Sequence, residues 1–284
     1  MSLSQTELSS QLAAVFKTAC LSELEALKPG NVHIFADGHG MVVQDFIHSA
    51  EAASQEIAKP GLTVGQRIFY AVESTWLAVG CNTNLGIILL SAPLIHAAFK
   101  SPQIALRGRL KEVLQELTVE DAAMAYRAIL QASPAGLGAS AQHDVHGVPD
   151  VSLLDAMREA AARDRIALQY ANNYEDVYRG AEVYKNAYQQ WGRAGWATTV
   201  LYLDFLAEIS DTHLLRKYGE EVARQVRDEA AHHRKLLLEQ ENPKKYQRPL
   251  LEFDRDLKSR GLNPGTSADL TVASLLLFEL EKMG

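Results

Sequence analysis

The chain has 284 residues, 47% hydrophobic and 22% charged, enough to enclose a core as one large domain or two of ordinary size. A formal charge of -7 argues against nucleic acid as a partner, because duplex binding draws on a basic surface. Two cysteines, Cys20 and Cys81, exclude a disulfide framework and a cysteine-built zinc site.

Helical signals dominate from the start. Ser4 and Glu7 form a capping box ahead of a helix over Leu8–Leu27. Pro29 stops it, since the residue before a proline is pushed out of the helical region. Asp45 is placed to cap Phe46–Ala58, which Pro60-Gly61 ends. Val64–Val79 and Leu85–Lys100 follow, separated by a polar break. Thr118 with Asp121 starts Ala122–Gln131, closed by Pro134-Ala135-Gly136. Ser152 with Asp155 starts a long helix to about Tyr170, on which Leu153, Met157, Ala160, Ala161 and Asp164 recur at helical spacing. Asp176–Trp191, Trp196–Glu208, Leu214–Gln240, Leu250–Arg260 and Ala268–Met283 complete the set. No segment alternates with period two between turn signals, and no linker or repeat is evident. The expectation is an all-α, single multi-helix domain over residues 1–284, with its site at converging helix ends.

Five polar clusters punctuate these helices. Lys28-Pro29-Gly30-Asn31-Val32-His33 is a rigid turn that suits an anion cradle, with Lys28 as cation and Asn31 as orienter. His33, Asp37 and His39 in the following loop carry metal-ligating side chains, though without helical spacing to align them. Gly80-Cys81-Asn82-Thr83-Asn84-Leu85-Gly86 interrupts an apolar run, where each amide and hydroxyl needs a partner. His143-Asp144 lies in a loop, and Asp164 shares a face with apolar residues. Either carboxylate is a candidate magnesium holder. Asp211-Thr212-His213, with Arg216 and Lys217, puts a carboxylate, an imidazole and two cations within two turns. Asn263-Pro264-Gly265-Thr266-Ser267-Ala268-Asp269 leads into a helix whose free N–H groups suit phosphate. Each cluster also has a plainer reading as a turn or helix cap. No Walker A sequence, dinucleotide fingerprint or nucleophile elbow is present.

Taken in order, these motifs resemble the triphosphoribosyl-dephospho-CoA synthase family over about Cys20–Leu280. The most specific parts are Lys28–Val32, Asp45–Ala50, Gly80–Gly86 and Asn263–Leu270. The resemblance implies an all-helical transferase using ATP and dephospho-CoA, or a related acceptor. In that reaction the acceptor's hydroxyl attacks the ribose C1′ of ATP, adenine leaves, and the triphosphate stays on the ribose. The synthases typically read Gly-x-Asn-Thr-His-Lys-Gly, whereas Asn84 and Leu85 stand here where histidine and lysine would.

On this reading Asp211 or Asp144 is the expected carboxylate, stabilising the oxocarbenium ion or acting as base, and His213 the general acid or base. Lys28, Arg216 and Lys217, with Ser267 at a helix start, would grip phosphates. Asn31, His33, Asn82, Thr83, Asn84, Asn263 and Asp269 would complete substrate binding, and Asp144 and Asp164 would hold Mg²⁺. The departure at Leu85 keeps two alternatives open. One is a related transfer in building a pterin-type or other C1-carrier cofactor, and the other is a nucleotide-binding protein without catalysis. Met1 to Lys17 lacks the features of a signal peptide, and no charge-free stretch spans a bilayer. A cytoplasmic location without membrane contact is expected. Trp191 and Trp196 are candidates for a homo-oligomer contact, although core packing is the commoner use of such residues.

Overall fold

The computed structural model describes residues 4–133 and 145–283. Fourteen α-helices and one 3-10 turn form among the described residues, with isolated bridges but no strand. The architecture is all-α. The chain divides into two compact units, each drawn from several segments.

The first unit comprises Met1–Ala19, Asp45–Glu175 and Leu276–Gly284. It holds most of α1 (Gln5–Glu25) and α2 (Val43–Ile57), and all of α3 (Val64–Val79), α4 (Leu85–Phe99), α5 (Leu106–Gln115), α6 (Val119–Ala132), α7 (Leu153–Ala160) and α8 (Arg165–Asn172). Ser4 and Glu7 cap α1 reciprocally, as their spacing predicts. Thr63 and Gln66 form the same kind of box at α3, and Thr118 with Asp121 at α6. Helix α5 falls where the sequence reading places no element. Its stripe of Leu106, Leu110, Val113 and Leu114 is buried at helical spacing despite Gly108 and five polar neighbours.

Helix α4 is buried almost all round and contains Pro93, which leaves the Leu89 carbonyl without its helical N–H. The Tyr170 hydroxyl donates to that carbonyl at 2.6 Å, and Tyr174 donates to Leu90 O at 3.0 Å. Buried arginines perform a related service at helix ends. Arg67 donates to Ile57 O and Lys59 O after α2, and Arg109 to Ala97 O and Lys100 O after α4. The single helix expected over 152–170 is two helices. Asp164 breaks it, accepting the N–H groups of Ile166 and Ala167 as the N-cap of α8.

The second unit comprises Cys20–Gln44 and Asp176–Leu275. It contains nearly all of α9 (Glu175–Trp191), then α10 (Ala194–Glu208), α11 (Thr212–Tyr218), α12 (Glu220–Leu238), a 3-10 turn (Pro243–Tyr246), α13 (Gln247–Ser259) and the first part of α14 (Gly265–Lys282). Helix α10 is its core rod, with Leu201, Tyr202, Leu203 and Phe205 fully buried. The helix expected over 214–240 is broken by Gly219, whose φ of 87° only glycine adopts readily. Asp204 joins Arg179 of α9 to Arg234 of α12. Trp191 donates to Gln240 O at 3.1 Å, an intramolecular use of a residue considered for contacts between copies.

Candidate functional site

In the second unit the Lys28–Val32 turn meets the segment that starts α14. Gly30 sits at φ 85°, and its N–H donates to Asp254 Oδ1 of α13 at 2.9 Å. A Cβ there would lie 2.9 Å from Pro264 Cδ and 3.1 Å from Leu262 O, so no side chain fits between the two segments at this point. Tyr202 of α10 holds Pro29 O at 2.8 Å from beneath. The Asn31 side-chain amide donates to Asn263 Oδ1 at 2.8 Å, joining the two motifs side chain to side chain.

Lys28, expected as an exposed phosphate cation, is wholly buried. Its ammonium pairs with Glu23 of α1 and donates to Asn31 Oδ1 at 3.2 Å. Burial pushes the Lys28 ammonium toward its neutral form and the Glu23 carboxyl toward its protonated form, each opposed by the partner's charge. His33, expected to bind substrate or metal, is also wholly buried. Its Nε2 lies 3.3 Å from Asp254 Oδ1, off the line of a good hydrogen bond, and its Nδ1 accepts the Phe35 N–H. Burial holds the His33 pKa below its usual value. Burial alone would raise Asp254, but His33, the Gly30 N–H and Lys258 together hold it below the ordinary range. Asp37 accepts the Val43 N–H at the start of α2, the role the sequence reading gives Asp45. His39, strained at φ 56°, donates from Nε2 to Gly30 O at 2.8 Å.

Asp211 joins the starts of two helices. Oδ1 accepts the His213 and Leu214 N–H groups of α11, while Oδ2 accepts the N–H and hydroxyl of Ser267 in α14. It is 1% exposed. With four donors committed to its two oxygens, the carboxylate holds helix ends together and does not face an open surface, as a role at the reacting carbon requires. Ser267 is equally enclosed and uses its hydroxyl on Asp211, so it presents none to a ligand. Thr212 and Thr266 bond through their hydroxyls at 3.0 Å.

Of the residues singled out by the motifs in this unit, His213, Asn263, Gly265 and Asp269 are half-buried, and Arg216 and Lys217 are exposed on α11. The His213 ring lies directly over Gly265, where a Cβ would come within 2.7 Å of Nδ1. Burial lowers the His213 pKa; Asp211 opposes this, and Arg216, Lys217 and His39 add to it. His213 is therefore neutral near pH 7, the state a general base needs.

The other expected residues belong to the first unit or fall outside the described residues. Asn82, Thr83 and Asn84 belong to the first unit and bond within it. Asn82 accepts the Leu85 N–H, Thr83 donates to the Ser49 hydroxyl at 2.6 Å, and Asn84 donates to the Thr75 hydroxyl at 3.0 Å. Leu85 is buried at the first turn of α4. Asp164 caps α8 in that same unit. His143 and Asp144 lie outside the described residues. Among the described residues no three His, Cys, Asp or Glu side chains cluster as a metal site, and no helix is long and apolar enough to cross a membrane.

The family model described as ATP:dephospho-CoA triphosphoribosyl transferase (CitG) matches residues 9–284, nearly the whole chain. The chain belongs to that family. Members are transferases, and the Lys28–Val32 and Asn263–Asp269 motifs are here the two segments that meet. Among solved structures the chain is similar to one from Archaeoglobus fulgidus provisionally named triphosphoribosyl-dephospho-CoA synthase. The two are 21% identical over 82% of this chain and 97% of that one, with a TM-score of 0.63. At that identity the likeness is one of fold. Among curated proteins no sequence matches significantly.

Glu23, Asp254 and Lys258 escape a motif reading because they sit inside ordinary helices. A signal exists all the same. Glu23 falls on the face carrying Leu12, Phe16, Ala19 and Leu27, and Asp254 on the face carrying Leu250, Phe253 and Leu257. A carboxylate on an apolar stripe needs a partner.

Proposed function

We propose that the chain transfers the triphosphoribosyl group of ATP to a hydroxyl of dephospho-CoA, releasing adenine, with its second unit supplying the reacting groups. Family membership over residues 9–284 supports the reaction class. The observation that carries the assignment of residues is the neutral His213 ring seated over Gly265 at the start of α14, beside Asn263 and the Arg216-Lys217 pair.

In the transfer, the C1′–N bond of ATP breaks and its electron pair leaves with adenine. The acceptor oxygen forms the new bond to C1′, adenine takes up a proton from solvent as it leaves, and the acceptor's proton passes to a base. His213 is that base. Arg216 and Lys217 bind triphosphate oxygens, aided by the positive end of α14. Asn263, held from behind by Asn31, orients ribose hydroxyls. Asp269, half-exposed near the start of α14, takes the electrostatic role at C1′ that the buried Asp211 does not fill. Magnesium enters with ATP as part of the substrate. Mg²⁺ binds mainly through phosphate oxygens and waters, so a three-ligand protein site is unnecessary.

The test is incubation with ATP and dephospho-CoA, followed by chromatography for free adenine. His213→Ala should reduce release by at least about a hundredfold. Folded protein that frees no adenine overturns the proposal. The buried Leu85, at the position where the synthases carry lysine, favours a second reading in which the acceptor is another phosphorylated cofactor precursor. Adenine release that depends on such an acceptor and not on dephospho-CoA would establish it.

A further inference from the structure

We infer that Glu23 is a positioning residue for the transfer, acting through Lys28 and Asn31 to fix the hydrogen-bond polarity of Asn263 where it meets the ligand. The inference rests on the proposed function for its activity readout, and on the geometry of the second unit for the rest.

Four side chains form a line: Glu23, Lys28, Asn31 and Asn263. An amide side chain has nearly the same shape when flipped, so its orientation is set by its neighbours. At Asn31 the neighbour is an ammonium, which has donors only. It therefore holds Oδ1 at 3.2 Å and turns Nδ2 outward, and Nδ2 donates to Asn263 Oδ1 at 2.8 Å. Asn263 in turn has its oxygen engaged, and its own amide donor is directed to other partners. Asn263 is half-buried, whereas the three residues behind it are buried. The line thus starts from an enclosed carboxylate and ends in an N–H donor at the accessible end, suited to a ribose hydroxyl or a phosphate oxygen.

The carboxylate keeps Lys28 charged in a setting that favours the neutral amine. Cys20 on α1 and Tyr202 on α10 face Glu23. Lys258 on α13 adds like charge toward Lys28, Asp269 on α14 adds opposite charge, and His33 in the loop adds like charge only when protonated. Without Glu23 the ammonium loses its contact partner, while burial still favours the amine. A neutral amine can accept as well as donate, so it no longer dictates the Asn31 orientation.

The test compares wild type with Glu23→Gln between pH 6 and pH 8, using adenine release from ATP in the presence of dephospho-CoA. The variant should turn over about tenfold more slowly at pH 8, with the gap closing toward pH 6 as Lys28 regains its proton. Lys28→Met should show the same loss with no recovery at low pH. A gap in Glu23→Gln that is equal at both pH values, or no gap, overturns the inference. If wild type releases no adenine, the functional reading fails by itself and amide hydrogen exchange decides this one. Relative to wild type at the same pH, Glu23→Gln should exchange faster over residues 28–33 and 261–268 at pH 8 and equally at pH 6. Unchanged exchange at pH 8 overturns it.

Discussion

Replacing Gly30 by alanine tests whether the two motif segments meet as closely as described. Two costs are separable. The first is backbone strain, since a φ of 85° brings the Cβ of an L-residue against its own carbonyl, at about 1–2 kcal/mol. The second is packing. The new methyl would lie 2.9 Å from Pro264 Cδ, 3.0 Å from Leu257 Cδ1 and 3.1 Å from the Leu262 carbonyl. Only the leucine tip can yield cheaply, because the others are a ring and a backbone oxygen. Overpacking of this kind costs about 1–3 kcal/mol. Lower entropy of the unfolded alanine chain returns roughly 0.4–1 kcal/mol. The net expectation is about 2–4 kcal/mol. Gly40 provides the control, with a φ of 75° and nothing within 4 Å of its Cβ position. Gly40→Ala should therefore cost only about 1 kcal/mol, being strain without packing. Urea unfolding of both variants, followed by circular dichroism, gives the difference directly. If Gly30→Ala is no less stable than Gly40→Ala, the Gly30–Pro264 contact is not present in solution and the site built on it fails.

Gly265→Ala should cost only about 1 kcal/mol, because the half-buried His213 ring can give way, but should displace that ring and slow adenine release by at least about tenfold. Unaltered release would mean that the ring does not act from its place over Gly265. Asp211→Ala strips the partner from the Leu214 and Ser267 N–H groups and the Ser267 hydroxyl, leaves the His213 N–H only Thr266, and should lower stability by about 3 kcal/mol in thermal or urea unfolding. A fully stable, inactive variant would instead assign Asp211 to the chemistry. Burial lowers the His213 pKa in the folded state, so the unfolded chain binds the proton more readily. Its contribution to stability is complete above the ordinary histidine value of about 6.5 and is lost as pH falls through the lower folded value. The acid limb of the rate profile that reports His213 should accordingly lie below pH 6.5, and a limb at pH 7 or above contradicts the assignment.

The helices were legible in the sequence wherever a cap and an apolar stripe agreed, as at Thr63 with Gln66 and at Thr118 with Asp121. The reading failed where one residue could serve two purposes. Asp164 fits the periodicity of a continuing helix and also caps a new one, and only the chain's turn after Ala160 decides between them. The same ambiguity governs the site. Lys28, His33 and Asp211 have the chemistry of ligand-binding groups, and a sequence displays chemistry without exposure. In the fold their charges and hydrogen bonds are turned inward, on Glu23, Asp254 and the starts of two helices. Their placement follows from a physical demand that composition does not reveal. Two glycine-proline turns brought within van der Waals contact leave polar backbone that must be held from below, and buried side chains are the rigid means of holding it. The groups left for chemistry are then those one step further out: His213 beyond Asp211, and Asn263 beyond Asn31. A motif of this kind specifies a supported surface, and the residues most prominent in it belong to the support.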